Sequence, residues 1–261
     1  MTAVDVLLER PRDGVAVLTI NRPEAHNALT IALQTVLDDH LATLKADPSV
    51  RCIVLTGAGE AAFSAGYDIH ELAGLTDDEV TLALLQRERW MWHFASLATP
   101  VIAALPGITF GAGALIACAV DLRIGCERTV FKFTAGAYGG ANATWSLPVL
   151  VGMGKAKEIL YTSRRVEAAE AERIGLLNAV VPGDRLRAEA LAVAETIAGH
   201  PPAGLVEIKR LIQAGPGRSL QDRYEAENVV MRTTLKPKPM TEIFSGFLGD
   251  RDATKNVERP L

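Results

Sequence analysis

Apolar positions along the chain switch repeatedly between a period of two and a period near 3.6. VDVLLER and GVAVLTINR alternate apolar with polar residues and are joined by PRDG, which predicts a β-hairpin. NALTIALQTVLDDHLATLKAD changes to helical spacing, with Leu29, Leu33, Val36, Leu37, Leu41 and Leu44 on one face. VRCIVLTGAG reads as a short buried strand running into a glycine turn. DIHELAGL and DDEVTLALLQRERWMWHFASLATP predict helices, the second stopping before Pro100 and starting on the acidic TDDE of residues 76–79. PVIAALPGITFGAG predicts strand, turn, strand; ALIACAVD a helix; DLRIGCERTVFKF two strands. From residue 153, GKAKEILYTS, EAAEAERIGL and RLRAEALAVAETIAG predict helices, split by a strand at LNAVVPG. The end of the chain reads as helical throughout, in PPAGLVEIKRLIQ, LQDRYEAENVVMRTTL and PMTEIFSGFLGDR. Strands alternating with helices predict an α/β architecture with buried parallel strands.

Composition narrows this further. A chain of 261 residues, 49% hydrophobic, can bury a sizeable core. Its net charge of −4 and pI near 5.8 give no reason to expect nucleic acid or an anionic membrane as partner. The stretch 101–120 is apolar but broken by Pro106, Gly107, Gly111 and Gly113, so a strand, a turn and a helix are expected, not a membrane span. Cys52, Cys118 and Cys126 lie in or beside apolar runs with no CxxC or Cys/His grouping. Buried free thiols in a reducing cytoplasm, with no structural metal, are the expectation. The opening MTAVDVLLERPRDG is charged early and has no secretory apolar core, which points the same way.

Chemistry concentrates at two glycine turns that each follow an apolar strand and each end at a helix start. One is GAGEAAFSAGYDIHEL and the other GITFGAGALIACAVD. Such a turn presents free backbone N–H groups and the positive end of a helix dipole. Two of them aimed at one point would suit a developing oxyanion. Neither is a nucleotide cradle: there is no GxxxxGK[ST], and GAGALI is not GxGxxG. The helix after the second turn opens with Ala114, Leu115, Ile116 and Ala117, which include no acid, base or nucleophile.

The ordered segments NRPEAHNALT, VLTGAGEAAFSAGYDIHEL, TPVIAALPGITFGAGALIACAVDLRIG and LPVLVGMGKAKEILYTSRRVEAAEAERIGLLNAVVP carry a resemblance. Over residues 14–183 the chain resembles the enoyl-CoA hydratase/isomerase (crotonase) superfamily. The resemblance implies an α/β spiral of ββα units in a core over residues 1–200, with a C-terminal helical trimerisation region over 201–261. It implies a homo-trimer or dimer of trimers, an acyl-CoA ligand, and no cofactor beyond the coenzyme A of that thioester. It places two oxyanion donors on the backbone N–H groups of Tyr67 and Ala112. Coenzyme A contacts fall on Arg22, Ala25, His26 and Ala28, and on Ser64, Ala65 and Asp68.

The chain also departs from the family's hydratases, which use two glutamates to hold and deprotonate water. The first position is Leu115 here, and the second falls on Thr134 and Ala135. Loss of both carboxylates removes the usual general base. Replacement acids, bases or polar anchors are sought on the same segments: Tyr138 and Asn142, His93 on RERWMWHF, and the ring of Tyr67. Trp145 reads as packing, and Glu88 and Asp68 as ion-pairing or capping residues. Three functions follow: an acyl-CoA enzyme acting through a polarised thioester (isomerase, lyase or decarboxylase, hydrolase, or atypical hydratase), a non-catalytic acyl-CoA binding protein, or a structural subunit.

Overall fold

The structure, a computed structural model, describes residues 5–235 and residue 239. These fall into two compact units divided after Pro202. The first unit opens with the hairpin β1 (Val6–Arg12) and β2 (Val15–Ile20), then α1 (Ile31–Ala46). Three strand pairs follow. β3 (Cys52–Gly57) and β4 (Ala62–Ser64) lead into α2 (Ile69–Ala73) and α3 (Asp77–Ser96). β5 (Val101–Leu105) and β6 (Ile108–Phe110) lead into α4 (Ala112–Ala119). β7 (Leu122–Cys126) and β8 (Val130–Lys132) lead through a 3-10 turn (Ala135–Tyr138) into α5 (Leu147–Val151) and α6 (Met153–Thr162). β9 (Arg165–Glu167), α7 (Ala168–Arg173), β10 (Ala179–Val181) and α8 (Leu186–Ala198) complete the unit.

The first strand of each pair joins one sheet and the second joins another. A six-stranded sheet runs β1-β2-β3-β5-β7-β10, parallel apart from the β1/β2 hairpin. A four-stranded sheet runs β4-β6-β8-β9, with only β9 antiparallel to its neighbour. Each ββα unit therefore steps once along both sheets, which is the spiral the resemblance implied.

Alternation along the large sheet divides the core in two. Ala16, Leu18, Ile20, Ile53, Leu55, Val101, Ala103 and Leu105 pack on the face that carries α1 and the small sheet. Val15, Val17, Cys52, Val54, Ile102 and Ala104 pack against α8 through Ala190, Ala194 and Ala198. Alanines four apart make one small-residue stripe, so the helix sits close to the strands. All three cysteines are buried free thiols. No described helix is long and apolar enough to cross a membrane.

In the second unit α9 (Pro202–Gln213) and α10 (Leu220–Thr233) follow the expected helical spacing. The helix expected at PMTEIFSGFLGDR lies outside the described residues. Two expectations need correction. The helical pattern beginning at Asn27 becomes helix only at Ile31, because Thr30 caps α1 by accepting from Leu33 N–H at 3.1 Å. Leu29 stays extended and fully buried. β4, set inside a glycine turn, β9, set between two helices, and the short α5 are additions to the expected elements.

Candidate active site

The site is built where the two glycine turns meet. Leu29, held out of α1, forms an isolated parallel bridge with Tyr67. Its N–H donates to Gly66 O at 2.8 Å and its O accepts from Asp68 N–H at 2.9 Å. In that pattern the ladder uses the residues on either side of Tyr67 and leaves its own N–H without a partner among the described residues. Gly66 has φ +99°, and a Cβ there would stand 3.1 Å from Phe110 O and 3.2 Å from Ala112 N. Only glycine lets the two turns approach this closely.

The second turn is fixed by α4. α1, α2 and α3 each carry a side-chain cap from Thr30, Asp68 and Thr76, whereas Gly111 gives α4 none. The Ala112 N–H therefore has no partner among the described residues. Ala112 is helical and not among the positive-φ residues, so its Cβ costs the turn nothing. A Cβ on Gly113 would meet Ser64 O at 2.6 Å, so the helix N-terminus lies directly against β4. At the other end of α4, the buried Arg123 guanidinium donates to Ala117 O (3.1 Å), Val120 O (2.8 Å) and Leu176 O (2.9 Å). It satisfies carbonyls at the negative end of the dipole and pins the helix axis. Burial lowers its pKa, against smaller opposing contributions from Cys118 and Asp121.

Tyr67 and Ala112 both line a cleft of about 400 Å³, together with Leu115, Thr134, Ala135, Tyr138 and Asn142. Among the described residues no aspartate, glutamate or histidine lines it; its charged residues are Arg87 and Lys132. An adjoining cavity of about 250 Å³ shares Arg87, Leu115 and Asn142 and adds Glu88, Trp92 and Trp145. The Trp92 and Trp145 rings meet edge-on there, centroids 6.4 Å apart. A third cavity, of about 220 Å³ and largely apolar, shares Tyr67, Leu72 and Arg87.

The remaining expected residues divide between cleft and framework. Tyr138 stands at the rim, 84% exposed, not in the core. Asn142 is half-buried and faces both larger cavities. Tyr67 Oη lies 3.4 Å from Gln34 Oε1, and burial pushes the phenol up to about 12 against opposition from Arg87 and the Trp90 indole. It stays protonated at neutral pH and is no base. His93 does not reach the cleft: its Nδ1 lies 2.7 Å from Asp38 Oδ1 and ties α3 to α1. Helical spacing explains this, since Arg87 and Met91 face the cavities four residues apart and His93 falls on another side.

Arg22 Nη1 binds Ala28 O at 2.8 Å and Asp68 Oδ2 at 3.2 Å, clamping its loop to the cap of α2. Burial alone would raise the Asp68 carboxyl, but hydrogen bonds from Arg22 and from the Glu71 and His70 N–H groups hold it below the usual carboxylate range. Ser64 is fully buried and its Oγ accepts from Gly66 N–H at 3.2 Å, bracing the turn. His26 O accepts from Ala65 N–H at 2.9 Å, joining the two loops at an exposed edge where Ala65 also lines the cleft. Ala25 closes the 3-10 turn Pro23–Ala25. Two further residues belong to the site, one to its framework and one to its lining. Asn27, fully buried, donates to Ala58 O and Ala62 O and accepts from Arg22 N–H. Arg87 falls on the inward stripe Arg87–Trp90–Met91–Phe94 of α3, a cation at an apolar period that could have been read.

A spiral of ββα units in two sheets, with two glycine turns facing one cleft, defines the crotonase class. The chain belongs to the enoyl-CoA hydratase/isomerase family, whose model it matches over residues 10–254. It is 36% identical over 250 residues to the short-chain-enoyl-CoA hydratase of Clostridium acetobutylicum, covering 95% of each chain. It superposes on an enoyl-CoA hydratase from Bacillus anthracis with a TM-score of 0.89 at 32% identity, covering 95% of this chain and 97% of that one. A monofunctional enoyl-CoA isomerase from Mycobacterium smegmatis matches with a TM-score of 0.73 at 33% identity, over 84% of this chain and 98% of that one. It is thus an acyl-CoA enzyme of this family.

Proposed function

We propose that this chain binds an acyl-CoA thioester and polarises its carbonyl between the N–H groups of Tyr67 and Ala112. The observation behind this reading is a pair of unpartnered N–H groups on two touching turns that line one cleft. Donors already in place when charge develops on a thioester oxygen stabilise an enolate or tetrahedral oxyanion with little reorganisation. Coenzyme A is held along the edge formed by Ala25, His26 and Ala65, with the buried Ala28 contributing through its backbone and Arg22, Ser64 and Asp68 setting that edge. The reaction is an isomerisation, a lyase or decarboxylase step, a hydrolysis or an atypical hydration; Asn142 and Tyr138 are its polar side chains. Water addition by two glutamates is not its chemistry, because Leu115 and Ala135 occupy the cleft walls. The three buried thiols suit a reducing compartment, and we place the protein in the cytoplasm.

The acid-free cleft also favours a second reading, a protein that binds acyl-CoA without turning it over. Ala112→Pro tests the first. It removes one donor and is expected to cut turnover about 100-fold or more while changing coenzyme A affinity little, as read by a turnover assay beside calorimetry. Undiminished turnover in that variant would remove Ala112 from the site. Tight acyl-CoA binding with no turnover of any thioester tried would favour the second reading.

A further inference from the structure

Arg87 and Lys132 are the two cations of this cleft, and of the two Arg87 is the one that also lines both neighbouring cavities. It is half-buried on α3 and faces all three adjoining cavities, yet its guanidinium has no hydrogen bond or ion pair among the described residues. Several other arginines of the first unit are paired, Arg22 with Asp68, Arg164 with Glu158 and Glu170, and Arg187 with Glu9. An arginine stays charged in any such setting, and partial burial without a counter-charge is costly. No acid of the cleft compensates it, and Glu88, its neighbour in sequence, is exposed toward the adjoining cavity. Apolar side chains flank it, Leu72, Val80 and Leu84 on one side and Leu115 and Trp92 on the other; the Asn142 carboxamide shares two of the cavities, and Lys132 is the second cation of the cleft. Largely apolar walls that carry two cations, one amide and no acid among the described residues suit a short carbon chain that ends in an anion.

We propose that Arg87 selects acyl-CoA substrates whose acyl group carries a carboxylate, the monothioesters of dicarboxylic acids, and that Asn142 assists it. The proposal rests on the thioester reading above. A carboxylate meets a guanidinium in two parallel hydrogen bonds, which adds direction as well as charge. An uncharged acyl chain of equal length would leave Arg87 desolvated and unpaired, so it binds more weakly.

The test is calorimetry with succinyl-, glutaryl- and adipyl-CoA against butanoyl-, pentanoyl- and hexanoyl-CoA, and with free coenzyme A. The wild-type protein is expected to bind at least one carboxylated member about tenfold more tightly than its neutral counterpart. Arg87→Gln brings that ratio near one, and Arg87→Lys leaves an intermediate ratio. Binding of the neutral series by Arg87→Gln reports an intact cleft; if that variant binds nothing, the wild-type and Arg87→Lys ratios decide. No preference at any chain length in the wild type overturns the proposal and leaves the thioester reading standing. Equal weakening of free coenzyme A and every thioester by Arg87→Gln also overturns it, since the arginine would then read the coenzyme's phosphates. Failure of all thioesters to bind the wild type overturns both.

Discussion

Single residues decide which groups here can move a proton. Tyr67 lines the cleft, and in the proposed function only its backbone takes part, because burial pushes the phenol up to about 12. Tyr67→Phe is therefore expected to keep turnover within about threefold and leave the pH–rate profile below pH 9 unchanged, since no titrating group is lost there. The same shift has a consequence for stability. A phenol that ionises later in the folded state than in the unfolded one stabilises the fold below the unfolded value and loses that contribution as pH rises through the folded value. Melting temperatures between about pH 10 and pH 12 should fall more steeply for the wild type than for Tyr67→Phe. Equal slopes would mean that the phenol is not desolvated. Leu115 and Ala135, where the resemblance puts the hydratase carboxylates, line the same cleft as Tyr67 and Ala112. Crotonyl-CoA hydration by the unmodified protein is expected to be very weak, and Leu115→Glu with Ala135→Glu to yield a trace. Rapid hydration by the unmodified protein would show that another group supplies the base.

At the scale of elements, the site depends on how α4 is seated. Its N-terminus rests on Ser64 through Gly113, and its C-terminus is pinned by Arg123. Gly113→Ala forces a methyl group to within 2.6 Å of a backbone oxygen, so the helix must shift and carry the Ala112 N–H with it. Turnover should drop at least about tenfold with most of the coenzyme A affinity retained. Arg123→Met strands several buried carbonyls and should cost about 3 kcal/mol in a denaturant titration. A change below about 0.5 kcal/mol would show that water replaces the guanidinium without loss. These supports explain what was legible in the sequence. The long helices and the strands of the large sheet announce themselves by period, and the glycine turns by composition. β4 and β9 do not, because one sits inside a glycine turn and the other between two helices, and their pairing is settled by the sheet they complete. The assignment of oxyanion donors to Tyr67 and Ala112 comes only through the resemblance, since a backbone N–H leaves no mark in a sequence. Asn27 and Arg123 act through contacts between distant segments, and His93 lies off the cleft because helical phase, not nearness in sequence, decides which side chain faces it.

At the scale of the whole molecule, the second unit raises the question of what covers it. Ile208 and Ile212 lie four residues apart on α9, and both are more than half exposed. Leu220, Tyr224 and Met231 fall on one side of α10 and are exposed as well. Helices with such stripes gain by burying them against another surface. The family resemblance supplies the form of that surface, a trimer or a dimer of trimers, and the helical pattern with Ile243, Phe244, Phe247 and Leu248 would add to it, although those residues lie outside the described ones. We therefore expect sedimentation at micromolar concentration to give a species of three or six times 27.9 kDa. Burying one exposed Ile contributes about 1.5–3 kcal/mol, repeated at every symmetry-related contact. Ile208→Glu combined with Ile212→Glu should then shift the species toward smaller forms while the first unit keeps its fold, as read by circular dichroism of the separated monomer. A wild-type protein that sediments only as monomer would refute self-association, and the exposed stripes would have to be matched to a different partner.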